Sequence, residues 1–590
     1  MTFDGWAVVA VILGSLVLLI TTSYSVDMIL LAGLVILLVS GVVSPEAALS
    51  GFSNEGMLTV AALYVVASGL KETGAIQYIT QKVMGEAKTV RAAQTRIMFP
   101  VMVMSAFLNN TPIVASFIPA LEHWSKKTRI PVSKILIPLS YAAILGGTCT
   151  LIGTSTNLIL NGLLIENGTT SGLGLFEPAW VGIPCAIAGF IYLFLFGDKL
   201  LPSRGEAFES FKDPREYTIE MMVPEKSQLA RKTVQEAGLR QLPGLYLVEI
   251  YREGDIIPAV GPNQKLREGD RLIFAGIIDS IVDLQNIPGL IPATNQVFKL
   301  DAPKKNRVLI EAVVSTSNPI KGRSIKEGKF RDRYNAVVIA VSRSGIRLKE
   351  KIGDIVLKTG DTLLLEAHSS FQRRFRNSND FYLISPIEGA TNTKSEKSGI
   401  AIFILVGMVI AAGTGLLSML QASFLAGGLM IVTRAIRYSA SIESVDWRVL
   451  IAIASSLGIG GALSSTGAAT LLATQMLSFA SSNPTTALII TYFITWILTE
   501  LITNNAAAVL VFPIAFSIAE SLGVDFIPFA ITIIMAASAS FSTPVGYQTN
   551  LMIYGPGGYK YTDYIKIGLP LNLIVALITI SLVPIIWSFW

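Results

Sequence analysis

With 590 residues, 52% of them hydrophobic and only 15% charged, the chain is too apolar for an ordinary soluble protein, where charge alone takes about a quarter of the residues. A net charge of +5 is modest and says little about nucleic acid, and two cysteines (Cys149, Cys185) allow no disulfide framework beyond one pair. Two histidines (His123, His368) exclude a His-rich metal site.

The elements come in a fixed order. Val8 to Ile20 and Met28 to Val43 are apolar runs long enough, or nearly, to cross a hydrocarbon core of ~30 Å as helices. The first run is not an obvious cleaved signal, because Met1 to Trp6 carries Asp4 and no basic residue. Two basic connections follow, Lys71 to Arg96 (Lys71, Lys82, Lys88, Arg91, Arg96) and Glu122 to Lys134 (Lys126, Lys127, Arg129, Lys134). Between them Ile97 to Leu121 is apolar. It then enters and leaves on one side, as a re-entrant hairpin. "LIGTSTNLIL" (Leu151 to Leu160) interrupts the next span, and Ala179 to Phe196 ends the first apolar block.

Composition changes near Leu201 and again near Ser398. The stretch between is charged and rich in β-branched residues, and it repeats itself at an offset of 91. "LYLVEIYREG" (Leu245 to Gly254) matches "AVVIAVSRSG" (Ala336 to Gly345), and "LREGDRLIFAG" (Leu266 to Gly276) matches "LKTGDTLLLEA" (Leu357 to Ala367). Each copy reads strand, glycine turn, strand, with Gly-Asp before a last hydrophobic strand. This predicts two small α/β or β-rich soluble domains, 215–290 and 303–385. The second apolar block, 398–590, contains Ile400 to Leu417 and Gly568 to Trp590. Its "GIGGALSSTG" (Gly458 to Gly467) lacks the spacing of a nucleotide loop and reads as small residues for close helix packing.

The apolar blocks, 1–201 and 398–590, also repeat. Leu31 and Leu425, Thr73 and Thr466, Asn110 and Asn504, and Ile152 and Val545 open or sit in matching segments 393 or 394 apart. The equivalents of the two basic connections, Gly467 to Pro484 and Glu520 to Phe526, carry no Lys or Arg. By the positive-inside rule the same pattern lies on opposite faces, an inverted-topology repeat. The N- and C-termini then fall outside and the insert in the cytoplasm. An "NGT" sequon (Asn167 to Thr169) falls on an outside loop. The fold class expected is a polytopic α-helical membrane protein. It is an inverted-repeat transporter with re-entrant hairpins and broken helices, plus two inserted α/β domains.

Four polar clusters stand in apolar surroundings: "LNNTP" (Leu108 to Pro112), "GTSTN" (Gly153 to Asn157), "ITNNAA" (Ile502 to Ala507) and "STPVGYQTN" (Ser542 to Asn550). A lone Asn or Thr in a membrane helix does no more than bond a neighbouring helix, worth about 1 kcal/mol. Four clusters at matching positions in both copies ask for more. Irregular backbone at membrane depth is tolerated where it lines a cavity or is buried in protein. Pro112, Gly153, Pro544 and Gly546 break helices here. A broken helix offers N–H groups to an anion at one half-end and C=O groups, with Asn and hydroxyl oxygens, to a small cation at the other. No Lys or Arg falls inside the clusters, so an anion held there needs co-bound cations to balance it. Glu500 is the one acid nearby; a proton site and a structural helix cap both remain open for it.

The Asn109-Asn110-Thr111 and Thr503-Asn504-Asn505 tips resemble the Ser-Asn-Thr motifs of the divalent anion:sodium symporter family, across both apolar blocks. That resemblance implies two sodium ions and one dianion, an elevator motion against a scaffold, and a homodimer. By position it assigns one sodium to Ser105, Asn109, Asn110 and the Gly153 carbonyl. It assigns the other to Thr499, the Ile502 carbonyl, Asn504 and Gly546. The anion falls to Asn110, Thr111, Thr154, Ser155, Asn504, Asn505, Tyr547 and Gln548, with Asn157, Thr543 and Asn550 beside them. The dicarboxylate branch tends to carry Pro-Pro before the loop Asn, where this chain has Ser155-Thr156 and Gln548-Thr549. "GGTCTLIGTSTN" with paired domains resembling TrkA-C (RCK-C) modules is more similar to the sulfate-transporter branch. The expectation is thus a sodium-coupled importer of sulfate or a related dianion in a plasma or inner membrane. It has no catalytic residues, no organic cofactor and no nucleic-acid partner. A dicarboxylate symporter, and an antiporter or channel regulated by the insert, remain as alternatives. The insert either binds a small regulatory ligand or only pairs protomers.

Overall fold

The computed structural model describes residues 3–22, 24–76, 79, 87, 89–128, 130–166, 172–204, 218–239, 245–253, 255–258, 260–276, 287–292, 307–315, 318–343, 346–348, 350, 352–368, 371–375, 380–386, 397–480 and 483–590. Lys82, Lys88, Arg129 and the sequon at Asn167 lie outside the described residues, as do the side chains of His123, Lys126 and Lys127. The chain forms two compact units. One comprises Met1–Ser203, Thr393–Tyr554 and Tyr559–Trp590, the other Arg204–Asn392 with Gly555–Gly558.

The first unit is helical. In chain order its first copy has α1 (Phe3–Thr21), α2 (Val26–Val39), α3 (Pro45–Leu49), α4 (Glu55–Glu72), α5 (Val90–Ser105), α6 (Asn110–Thr128), α7 (Leu136–Gly147), α8 (Ser155–Glu166) and α9 (Ala179–Leu200). After α10 (Phe330–Tyr334) and α11 (Phe371–Phe375) of the other unit, the series resumes. It runs α12 (Ser398–Gly413), α13 (Met419–Val432), α14 (Tyr438–Ser444), α15 (Trp447–Ser465), α16 (Ala468–Ala480), α17 (Pro484–Leu501), α18 (Asn504–Leu522), α19 (Ile527–Ser538), α20 (Gln548–Tyr554) and α21 (Tyr561–Ile586). α2 and α13 have the same length at an offset of 393, and α6 and α18 the same length at 394. The sequence repeat is therefore a repeat of structure. Among the described residues five helices, α9, α15, α17, α18 and α21, are long and apolar enough to cross a membrane. α9, α15, α17 and α21 carry large exposed apolar side chains, such as Trp180, Trp447, Ile497 and Leu577, as a lipid-facing surface does.

The copies interlock reciprocally. α2 packs on α15, and its equivalent α13 packs on α4. Leu30, Leu34 and Leu37 of α2 share a buried cluster with Ile459, Ala462 and Leu463 of α15. Likewise α8 packs on α18, and α20 packs on α6. Each half thus completes the other, and these pairings persist when the copies are exchanged.

Among the described residues the second unit holds two five-stranded antiparallel sheets. The first is built of β1 (Thr218–Met222), β2 (Leu245–Arg252), β3 (Asp255–Pro258), β4 (Arg271–Gly276) and β5 (Ile291–Pro292). The second has β6 (Arg307–Val314), β7 (Ala336–Arg343), β8 (Ile346–Arg347), β9 (Thr362–His368) and β10 (Phe381–Pro386). Their strand orders, β3-β2-β4-β1-β5 and β10-β6-β9-β7-β8, are the same order under the 91-residue shift, read from opposite edges. Even the bulges coincide, at Leu247/Glu249 and Val338/Ala340. The Gly-Asp pair now has a cause. Gly269 and Gly360 both take φ of +82°, which glycine tolerates best. The aspartate that follows is buried and receives a bidentate guanidinium, Arg252 on Asp270 and Arg343 on Asp361, each contact at 2.7 Å. The pairing raises both guanidinium pKa values above the ordinary one.

Candidate cation and anion site

Two hairpins and two broken helices build the site. α5 ends at Ser105 and α6 starts at Asn110; α17 ends at Leu501 and α18 starts at Asn504. Ile502 is extended (φ −124°, ψ −160°), which takes its carbonyl out of the helical ladder, and Thr503 caps α18 through its hydroxyl. In the broken helices, α7 and α19 stop at Gly147 and Ser538, and α8 and α20 resume at Ser155 and Gln548.

Equivalent hydrogen bonds hold the two halves of the site. Ser105 Oγ donates to the Ala143 carbonyl, and Thr499 Oγ1 to the Ala537 carbonyl, both at 2.7 Å. Asn157 Nδ2 donates to Thr150 O (2.8 Å), and Asn550 Nδ2 to Thr543 O (3.2 Å) and Ser540 O (2.9 Å). The Asn157 and Asn550 amide nitrogens are therefore spent on closing their own loops. Each loop glycine meets backbone or hydroxyl oxygens at the crossing point. A Cβ on Gly153 would stand 2.4 Å from Gly147 O and 2.7 Å from Ser105 O. One on Gly546 would stand 2.1 Å from Ser540 Oγ and 2.9 Å from Thr499 O.

The first tip gathers Ser105, Asn110 and Gly153 into one buried cluster. Ser105 Oγ, Ala143 O and Gly153 O converge on one end of the Asn110 amide, and the Tyr547 hydroxyl lies 2.7 Å from the other. With Nδ2 turned inward the amide donates to Ala143 O (3.0 Å) and Gly153 O (3.3 Å). With Oδ1 turned inward four oxygens face one another, which a hard cation among them would reconcile. The second tip is built differently. Asn504 is half-buried, and its Oδ1 accepts from the next backbone N–H, of Asn505, at 3.0 Å. Asn109 is half-buried at the first tip.

Between the tips the copies touch through polar groups. Thr154 Oγ1 lies 3.2 Å from Tyr547 Oη. Thr111 Oγ1 donates to Gln548 Oε1 at 3.1 Å, and its two-fold counterpart joins Ser155 Oγ to Asn505 Oδ1 at 3.0 Å. Thr156 Oγ1 also reaches Asn505 Oδ1, at 2.9 Å. Hydroxyls and amides without Lys or Arg can hold an oxyanion by directed hydrogen bonds while leaving its charge to companions. The Ala143 and Ala537 carbonyls escape residue-level reading, because a carbonyl has no signature in sequence. Ser140 escapes too: its hydroxyl meets Asn550 Oδ1 (2.7 Å) and Thr549 Oγ1 (2.8 Å) in the other copy.

A helical unit of two interlocked copies around a paired polar centre has the architecture of a membrane transporter. The chain belongs to the citrate transporter family (CitMHS), whose profile matches residues 16–533. It is similar to a Chlamydomonas reinhardtii protein named as a candidate sulfur deprivation response regulator, at 35% identity over 94% of this chain and 97% of that one. It is also similar to an uncharacterized transporter of Synechocystis, at 31% identity over 98% of this chain and 96% of the other. Sodium/sulfate cotransporter 2 of Chlamydomonas reinhardtii is 27% identical over 90% of this chain and 84% of its own.

Proposed function

We propose that the chain is a sodium-coupled secondary active symporter that imports sulfate or a related inorganic dianion. The observation that carries this reading is the oxygen cluster of Ser105, Asn110, Ala143 and Gly153, repeated in part at Thr499 and Ala537. It stands beside a centre of hydroxyls and amides without a fixed cation. In this reading one sodium is held by Ser105, Asn109, Asn110 and Gly153, the other by Thr499, Ile502, Asn504 and Gly546. The dianion takes donors from Asn110, Thr111, Thr154, Ser155, Asn504, Asn505, Tyr547 and Gln548. Asn157, Thr543 and Asn550 keep the loops in shape around it. The relatives named sodium/sulfate cotransporters support both the cation and the anion.

The mechanism follows from charge. A desolvated dianion among neutral donors is unfavourable alone, and so are desolvated cations without it. Together they balance, so the loaded site crosses the bilayer and the half-loaded site does not. Alternating access by an elevator, an inverted repeat with both termini outside, cytoplasmic TrkA-C-like inserts and a homodimer in the plasma or inner membrane complete the proposal. A citrate or dicarboxylate substrate is the second reading, favoured by the description of the matching family. Labelled sulfate uptake in proteoliposomes, with citrate and succinate as competitors, separates them. Sulfate uptake resistant to both acids supports the first reading, and strong competition by either acid supports the second.

A further inference from the structure

One acid stands in the second polar cluster with no counterpart in the first. Glu500 occupies the position of Ala106, 394 residues earlier. Its Oε2 accepts from Thr543 Oγ1 (2.6 Å) and Ser540 Oγ (3.3 Å), and its Oε1 from Ser542 N (3.0 Å) and Asn572 Nδ2 (3.0 Å). None of these donors is a cation.

The first copy shows what the fold requires. Thr150 donates to the Ala106 carbonyl, and Thr543 keeps the same relation to the Glu500 carbonyl, at 3.5 Å. The loop therefore closes without a carboxylate. The other polar side chains are additions. Ser540 stands where the first copy has Gly147, and Ser542 where it has Cys149. Gly182 and Gly568 pack against the same loop position, Thr148 and Phe541, and in that register Asn572 stands where the first copy has Ala186.

Two observations tie this cluster to the second cation site. Ser540 Oγ and Thr543 Oγ1, which hold the carboxylate, are also the hydroxyls that crowd Gly546, whose N–H donates to Thr543 Oγ1 at 3.1 Å. Asn572 is 1% exposed, donates to Glu500 and to Ser542 Oγ (2.7 Å), and leaves its amide oxygen buried without a partner. A hydroxyl that turns its proton away offers a lone pair, so this set converts from a carboxylate cradle into a cation shell.

We propose that Glu500 is the fixed counter-charge of the second cation site. That site binds a sodium-sized monovalent cation with a charged oxygen set, while the first uses neutral oxygens only. The two sites are thus unequal and the second is the tighter. This inference rests on the symport reading above.

The test is the sodium dependence of labelled sulfate uptake by the full-length protein in proteoliposomes, for wild type, Glu500→Gln, Glu500→Asp and Asn572→Leu. Glu500→Gln raises the half-saturating sodium concentration roughly tenfold, the size expected when one partly screened charge is removed. Glu500→Asp restores most of it, and the KM for sulfate at saturating sodium stays within about twofold. Asn572→Leu, which removes a donor but no charge, shifts sodium half-saturation much less than Glu500→Gln does. A wild-type sodium curve in Glu500→Gln, or an Asn572→Leu shift equal to it, overturns the counter-charge and leaves a loop clasp. Should Glu500→Gln fail to fold, the sodium-dependent thermal shift of Glu500→Asp decides: a reduced shift supports the proposal and a wild-type shift overturns it. Sodium-independent uptake by the wild type would defeat the symport reading itself, a separate outcome.

Discussion

Thr154 and Tyr547 hold the same place in the two copies of the fold, 393 residues apart, and their hydroxyl oxygens lie 3.2 Å from each other. Equivalent positions meet only where the pseudo-two-fold axis passes between them. The axis therefore runs through the polar centre. It is broken there by one ring: the tyrosine reaches the amide of Asn110 in the opposite copy, and the threonine is too short to do the equivalent for Asn504.

That asymmetry makes Tyr547→Phe a clean change. It deletes one hydroxyl that touches both Asn110 and Thr154 and leaves the ring in its buried seat. A hydrogen bond to a charged partner is worth about 1.5–3 kcal/mol, so the KM for sulfate rises about tenfold or more. Half-saturating sodium changes little. Kinetics of labelled sulfate uptake measure both; an unchanged KM removes Tyr547 from the anion's donors.

The loop glycines differ in what they touch. Gly153→Ala drives a methyl into two backbone carbonyls, Gly147 O and Ser105 O. At Gly546→Ala the shortest contact is the Ser540 hydroxyl, which can rotate, with Thr499 O the remaining backbone obstacle. Gly153→Ala abolishes uptake, whereas Gly546→Ala keeps a measurable fraction of it. Equal loss in both, measured on protein of matched membrane yield, contradicts the close-approach argument.

Position in the repeat gives Asn110 and Asn504 equal roles, yet their surroundings are unequal. Asn110 is fully buried among three oxygens and a phenol, and Asn504 is half-buried over a backbone N–H. Both Asn110→Ala and Asn504→Ala weaken sodium activation, and Asn110→Ala also raises the sulfate KM more. Wild-type sodium activation in both variants would sink the paired-cation assignment.

In the second unit, two exposed carboxylates predict a local response to acid. Glu236 accepts from the Thr233 N–H (2.8 Å) and Glu327 from the Ser324 N–H (3.2 Å), and each glutamate N–H donates in turn to the hydroxyl of that Thr or Ser. These backbone and hydroxyl bonds hold both carboxyls below the usual range. A depressed folded-state pKa contributes stability above the unfolded value, ~4.3 for Glu. That contribution is lost as pH falls through the folded one. Hydrogen exchange at 233–236 and 324–327, corrected for intrinsic rates, accelerates between pH 5 and pH 3. Glu236→Gln and Glu327→Gln show that faster exchange already at pH 7; exchange in those variants that matches wild type contradicts the cause.

Much of this architecture is legible in residue order because duplication writes itself twice. The offsets at Asn110/Asn504 and at Ile152/Val545 mark the same tips and loops that the helices then display. The matched sheets of the insert follow from the 91-residue shift in the same way. Legibility ends where identity stops carrying geometry. Ala143 and Ala537 contribute carbonyls that any residue has. Ser140 finds its partners in the other copy. Asn157 and Asn550 look like ligands, but their amide nitrogens close the loops they belong to. The tips resemble those of divalent anion:sodium symporters; the matching family is described as citrate transporters, and sodium/sulfate cotransporters are among the similar proteins.

The central claim is that sodium and a dianion share one site and cross together. Simultaneous measurement of labelled sodium and labelled sulfate flux into proteoliposomes tests it most directly. The account predicts sulfate accumulation only down an inward sodium gradient, with sodium entering alongside it in more than one copy per sulfate. Sulfate accumulation indifferent to the sodium gradient would contradict it.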